Sequence, residues 1–329
     1  MKKRIAVIGA GISGLTLAQA LSDIAEVCVF EKARGVGGRM STRHAGPFHF
    51  DHGAQFFTAR TPEFQTFLKP YLTAGVVIEW KGKIIAFEAG KKPNKSLWFE
   101  PHYVCAPNMN SLCKKLAEDQ EVALNTEAAS LQAENAGGWQ LADKTGNTLG
   151  RFDWVISTAP PAQTHNLFAR HIPAGSSFSQ AKMQGCYALM IGFNKPWDKQ
   201  WIAANVRYNP LQWIAVNSSK PGRNNAFTCL VAHSSNSWAE GHIDDDVNTA
   251  QAFLIKEFES ITGIDCSNAD HVSTHRWRYA TVTQNDDPGP FFDETLALAS
   301  TGDWSKASRI EDVWIAANKL AKSLRTHLK

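Results

Sequence analysis

Gly9, Gly11 and Gly14 stand in the order G-x-G-x-x-G, and an acid, Glu31, follows 17 residues after the third. This set can hold a dinucleotide. Gly9 permits a tight turn, Gly11 lets backbone approach a pyrophosphate, and Gly14 lets a helix lie close to a strand. Ile12 and Ser13 open that helix, whose free N–H groups and positive dipole end favour phosphate. Glu31, with Lys32 beside it, can accept bonds from a ribose diol. A second glycine group, Gly35, Gly37 and Gly38, is flanked by Arg34, Arg39 and Met40. Its amides can approach phosphate oxygens, and an arginine fork can neutralise them. A simple nicotinamide dehydrogenase needs no second loop of this kind, so the two loops together point to FAD.

The elements that must position these residues are legible. Arg4 to Ile8 reads as a short buried strand, Leu15 to Leu21 as a helix, and "VCVFEK" as a second buried strand ending at Glu31. Helical spacing resumes from Thr61 to about Val76, and again over "MNSLCKKLAED". Lys91 to Lys95 reads as an exposed hairpin or loop. "EVALNTEAASLQAE" alternates as one strand, and "GWQLADKTGN" with "RFDWVISTAPP" reads as a hairpin and a buried strand stopped by Pro160 and Pro161. Four strand-like runs, "CYALMIGFN", "WIAANV", "LQWIAVNS" and "AFTCLVAHS", precede an amphipathic helix, "DVNTAQAFLIKEFESITG". "LALASTGDW" is a strand ending in Gly302-Asp303, where Asp303 can accept a ribityl hydroxyl or cap the next helix. That helix starts at Arg309, Ile310 and Glu311, and its first N–H groups can approach the flavin edge or a phosphate.

Several motifs resemble the flavin-containing amine oxidase superfamily, and within it the renalase-like branch. They are "VIGAGISGLTLA" at 7–18, "FEKARGVGGRMSTR" at 30–43, "FDHGAQFFTAR" at 50–60, "HRWRYA" at 275–280, "TGDW" at 301–304 and "RIEDVWIAANKLA" at 309–321. The resemblance implies an α/β fold: a Rossmann-type FAD-binding domain with an inserted mixed sheet plus helix substrate-binding domain, the amine oxidase/p-hydroxybenzoate hydroxylase-like architecture. The FAD-binding domain is expected over 1–60, 100–162 and 273–329, and the substrate or cap domain over 61–99 and 163–272. The resemblance implies that Gly53, Ala54 and Gln55 pass the flavin ring, that the backbone of Val122 faces the adenine side, and that Thr158 lies at the cofactor-facing end of its strand. Tyr187, Trp213, His233 and Trp277, with Gln55, are expected to face the substrate cavity. Where the family has "VEGA" and a small pair, this chain has Ile310-Glu311-Asp312-Val313 and Ala316-Ala317, so a local adjustment is expected. No cysteine lies beyond Cys266, so the FAD should be noncovalent.

The resemblance implies an oxidase taking hydride from 2- or 6-dihydro isomers of NAD(P)H, with O2 as acceptor and H2O2 as product. Oxidation of a small primary amine or polyamine is the alternative, and desaturation of a carotenoid or porphyrin a further one. A flavin-binding protein without turnover is the non-enzymatic reading. A dihydropyridine needs stacking but no strong base, and no lone Asp/His base stands out in the insertion. No second G-x-G-x-x-G in a strand–helix context and no C-x-x-C pair appear, which argues against disulfide-reductase-type enzymes.

Composition narrows the classes further. A net charge of +3 and no Lys/Arg block interleaved with aromatics argue against nucleic-acid binding. Lys2, Lys3 and Arg4 mimic the head of a secretion signal, but the glycines break the apolar stretch behind them. No apolar segment approaches the roughly 20 residues that span a bilayer. The six cysteines lie singly, several in apolar runs, as expected in a reducing compartment. The histidines show no metal-ligand spacing. A cytoplasmic, metal-free monomer is expected.

Overall fold

The computed structural model describes residues 2–135, 137–172, 178, 181–283 and 289–328. The chain forms two compact units. The first comprises residues 1–38, 113–183 and 281–329, the second 39–112 and 184–280. Residues 39–60, 100–112 and 273–280, expected with the cofactor domain, belong to the second unit, and 163–183, expected with the cap, to the first.

The first unit is built on a six-stranded sheet in the order Phe291–Asp293, Leu298–Ser300, Trp154–Ser157, Lys3–Ile8, Ala25–Phe30, Glu121–Ala123. Its strands are parallel except for the antiparallel edge at Phe291–Asp293. Ile5, Ala6 and Val7 are fully buried, as continuous apolar runs must be when a parallel sheet is covered on both faces. Helices Ile12–Leu21, Pro161–Phe168 and Ile310–His327 belong to this unit. So does a three-stranded antiparallel sheet over Ala128–Ala133, Trp139–Asp143 and Thr148–Phe152. This is the Rossmann-type arrangement expected. The alternating run after Glu121 is not one strand, however. Asn125 takes a positive φ of 53° and splits it into Glu121–Ala123 and Ala128–Ala133, which join different sheets.

The second unit is a mixed sheet with helices. The order is His271–Val282, Met183–Phe193, Thr228–Ser234, Leu211–Val216, Ala203–Arg207, Ile84–Glu88, Asn94–Ser96. The expected four-strand insertion is thus widened by the hairpin of Ile84–Glu88 and Asn94–Ser96 and by the strand carrying "HRWRYA". Helix Val247–Thr262 is capped by Asp246, which accepts from the N–H groups of Asn248 and Thr249, and ends at Gly263 with φ 67°, as helix ends favour. Its Ala250, Leu254 and Phe258 are buried in the same core as Tyr187, Leu189 and Ile191 of the sheet. Helix Pro62–Thr73 starts at Thr61, whose side chain accepts from Phe64.

Among the described residues no helix is long and apolar enough to cross a membrane. All six cysteines are buried and unbridged.

A Cβ on Gly14 would lie 1.9 Å from the carbonyl oxygen of Gly9. Gly14→Ala therefore forces the first turn off its strand. We expect a loss of about 1–3 kcal/mol, read as a lowered Tm of the apoprotein. An unchanged Tm would show that the turn and helix are less tightly apposed.

Candidate active site

The dinucleotide cradle is assembled in the first unit. Gly9 has φ +104°, a conformation that favours glycine. Its N–H donates to the carbonyl of Phe30 at 2.8 Å. Thr158 fixes the other side: its N–H donates to Ile8 and its hydroxyl donates to the carbonyl of Ile8 at 2.9 Å. The second glycine loop folds back onto the first, Gly37 N–H donating to the carbonyl of Ala10 at 2.8 Å. A Cβ on Gly38 would stand 3.5 Å from the Cα of Gly11, whereas one on Gly11 would meet nothing within 4 Å. The turn is therefore packed at Gly9 and Gly14 and open at Gly11, the shape a pyrophosphate requires. Helix Ile12–Leu21 begins at Gly11 with no side-chain cap and no acid in its first turn. Its leading amides, those of Ile12 and Ser13 among them, and its dipole remain available to an anion.

Glu31 is buried, and the backbone orients its carboxylate. Oε2 accepts from Ala10 N–H and Oε1 from Ala33 N–H, each at 2.8 Å. Each oxygen keeps a lone pair for a hydroxyl. Val122 is paired with Val29 at the edge of the sheet next to Glu31. Lys32 donates to Gln163 at 3.0 Å. Gly302 and Asp303 follow the strand Leu298–Ser300, and Asp303 accepts from the hydroxyl of Ser308 at 2.9 Å. The last helix has Glu311 and Asp312 in its first turn, with Asp312 bonded by Arg309 at 2.6 Å. Those acids oppose a phosphate there, so the first helix is the better anion site. Ile310 and Glu311 are buried.

The second unit carries a different cluster. Gly53 and Ala54 lie against Arg39: Ala54 N–H donates to its carbonyl at 2.8 Å, and a Cβ on Gly53 would stand 2.0 Å from that oxygen. The Arg39 guanidinium donates to the carbonyl of Ala280 at 3.1 Å, and the Met40 side chain is buried. Gln55 is locked as well. Its Nε2 donates to the carbonyls of Asp51 and, at 3.0 Å, Gly53, and its Oε1 accepts from Lys220 at 3.3 Å.

His233 and Trp213 are cross-strand partners. His233 Nε2 faces the carbonyl of His52 at 3.1 Å, so that nitrogen carries the proton. Trp277 donates to the same carbonyl at 2.9 Å and stacks on the His52 ring at 5.0 Å. His275 stands edge-on to His52 at 4.9 Å, with Arg43 bonded to its Nδ1 at 3.3 Å. Phe56 packs on Trp213 at 5.4 Å. Gln55, Trp213, His233 and Trp277 are therefore brought together.

Tyr187 is not part of this group. Ala188, not Tyr187, is the residue opposite His233, and strand side chains alternate faces. Tyr187 thus points to the helix-covered core, fully buried, its hydroxyl donating to the carbonyl of His242 at 2.7 Å. Sequence reading missed His52, His275 and Arg43. The "DHGAQ" and "HRW" motifs held the signal, but only the pairing of distant strands joins them.

The three imidazoles are uncharged. Burial pushes His52 down to about 3, helped by the nearby His275 and Arg43. Burial also lowers His233 and His275 to about 4, with Lys220 adding at the first and Arg43 at the second. Beneath them Asp51 is fully buried and held ionised by Lys220 and Arg223, at 3.1 and 2.5 Å, and by the Thr42 hydroxyl at 2.6 Å. Burial lowers Lys220, and the like charge of Arg223 adds to that. Among the described residues no group of three or more His, Cys, Asp or Glu side chains could hold a metal ion.

Residues 7–71 match the NAD(P)-binding Rossmann-like domain, and residues 85–302 match the flavin containing amine oxidoreductase family. Coproporphyrinogen III oxidase of Mycobacterium tuberculosis (strain ATCC 25618 / H37Rv) is 44% identical over 66 residues, 19% of this chain and 15% of that protein. The match thus spans about 15% of the length of such curated relatives. Putrescine oxidase, in its wild-type form bound to putrescine, superposes with a TM-score of 0.75 at 12% identity over 99% of both chains. An oxidoreductase from Methanosarcina mazei gives 0.73 at 14% identity over 97% of this chain and 100% of its own. At these identities the superpositions establish the fold. The cradle and the family match agree on noncovalent FAD as the cofactor.

Gly11→Val fills the open position of the turn. We expect a folded protein, since a Cβ there touches nothing, that binds FAD at least about tenfold more weakly, measured by titrating apoprotein. Normal flavin content in a soluble variant would contradict the cradle.

Proposed function

The chain belongs to the flavin containing amine oxidoreductase family, and from that premise we propose that it is a renalase-like oxidase of 2- or 6-dihydro isomers of NAD(P)H. That it is an FAD-dependent oxidoreductase follows from the family and the cradle; the substrate is our reading. The observation that carries it is the charge of the Trp213–His233–Trp277 cluster. Its imidazoles are neutral, Arg43 and the buried Lys220 lie nearby, and among the described residues no carboxylate bonds to these rings. Asp51, the acid beneath, already serves two cations. An amine arrives at neutral pH as an ammonium ion and would find ring faces but, among the described residues, no free carboxylate to pair with. A dinucleotide meets flat aromatic faces for its dihydropyridine ring, with the half-buried Arg43 beside them.

Bound FAD supplies the two-electron acceptor. The protein's part is to position and to exclude. Trp213, Phe56 and Trp277 offer ring faces, and Gln55 is held so that it cannot rotate freely. His233, protonated at Nε2, keeps an acceptor at Nδ1. The substrate gives up a hydride and becomes an aromatic pyridinium, so no protein base has to remove a proton. O2 takes the two electrons with two protons and leaves as H2O2. A cytoplasmic, monomeric enzyme is part of the same reading.

A second reading, oxidation of a small primary amine or polyamine, is favoured by the family match over residues 85–302. Anaerobic stopped-flow mixing separates the two. The dihydro isomers should bleach the flavin at 450 nm about 10²-fold faster than ordinary 4-dihydro NAD(P)H, because displacing the donated hydride by an ångström costs that much. Rapid bleaching by an amine, with none by the isomers, would replace this reading by the second.

A further inference from the structure

The second unit contains an open cleft of about 420 Å³ between the hairpin of strands Ile84–Glu88 and Asn94–Ser96 and the loop that follows it. Three lysines, Lys81, Lys83 and Lys95, line it together with Trp80, Trp98 and His102. Lys81 pairs with Glu79 at 2.8 Å, and Glu100, the other acid of the lining, pairs with Arg60 at 2.5 Å. Among the described residues no carboxylate pairs with Lys83 or Lys95, and both are exposed. The cleft therefore presents two unneutralised ammonium groups.

Its aromatic side is ordered by stacking. Trp98 lies face to face on His102, with ring centres 3.9 Å apart and 14° between planes, and Trp80 meets Trp98 at 5.4 Å. Burial lowers the pKa of His102, so that ring adds no charge. A volume at the lower end of the range for small-molecule sites suits a ligand fragment. A flat ring beside Trp98, carrying phosphate toward the lysines, would satisfy both halves of the lining.

We propose that this cleft binds an aromatic ring bearing phosphate, the chemistry of an adenine nucleotide, and that it receives the adenylate arm of the substrate. The second half of this statement rests on the dinucleotide reading above. The aromatic wall of the cleft adjoins the Trp213–His233 pair through two ring contacts: Trp98 on Phe56 at 5.6 Å, and Phe56 on Trp213 at 5.4 Å. A dinucleotide with its nicotinamide at Trp213 would have its other arm directed along this aromatic line.

The test uses the FAD-loaded protein, whose own adenine site is filled, and ADP as the probe. Calorimetric titration should show saturable binding that weakens with salt. The Lys83→Glu/Lys95→Glu double variant, altered only at exposed positions, should keep its flavin spectrum and Tm but bind ADP at least tenfold more weakly. Trp98→Leu should also weaken binding, while orthophosphate alone should bind the wild type less tightly than ADP. Absence of saturable binding, or equal ADP affinity in the wild type and the double variant, overturns the site. The two claims fail separately. ADP binding at the lysines without bleaching by the dihydro isomers would leave the cleft standing and remove the substrate reading. Bleaching with a KM unaffected by the double variant would leave the reaction standing and remove the cleft's part in it.

Discussion

A single carboxylate with no access to solvent ties the candidate site together. Asp51 Oδ1 accepts from the Thr42 hydroxyl and from the N–H of Met109 at 3.0 Å, while Oδ2 accepts from Lys220 and Arg223. These partners come from three separate stretches of the second unit. An ion this deeply buried is tolerated only when paired and fully hydrogen-bonded, and removing one partner of such a pair costs about 3–5 kcal/mol. The arrangement also decides what lies above it. Gln55 is held between the carbonyl of Asp51 and the ammonium of Lys220. His52, next in the chain, offers its carbonyl to both His233 and Trp277. With the local acid engaged, the histidines have no anion to stabilise a proton and remain neutral. The charge character of the site thus follows from where one aspartate spends its bonds.

The first unit solves a different problem by shape. Gly9 and Gly14 are required by contacts within the protein, as the distances to Thr158 and Gly9 show. Gly11 is required by none, and that difference separates the residue that meets ligand from those that build the turn. The same distinction applies to helix starts. The first helix carries no acid in its opening turn, while the last carries two, so only the first combines free amides with an unopposed dipole.

Much of the cofactor side was legible in the sequence because its parts are local. Strand, turn, helix and Glu31 follow one another within about thirty residues, and each has a periodicity or a required glycine. Gly53 was read only as passing the flavin ring; what leaves it no room for a side chain is the Arg39 carbonyl, fourteen residues earlier. The substrate side was harder to read. Tyr187 and His233 both lie in strand-like runs, and their facing depends on register, where one residue reverses the answer. The structure puts Ala188 opposite His233 and so turns Tyr187 into core. His52, His275 and Lys220 come from three distant segments, and no spacing along the chain signals their meeting. Asn125 escaped because alternation continued through it, although its backbone turns there.

The central claim is that the histidines of the Trp213–His233–Trp277 cluster are neutral. The most direct test is an NMR titration of the histidine ring nitrogens in 15N-histidine-labelled, FAD-loaded protein. With their pKa values lowered to about 3, 4 and 4, His52, His233 and His275 should keep the neutral nitrogen pattern from pH ~8 down to pH ~5, well below the ordinary midpoint near 6.5. Protonation of any of the three around that ordinary midpoint would place a charge in the cluster and contradict the account.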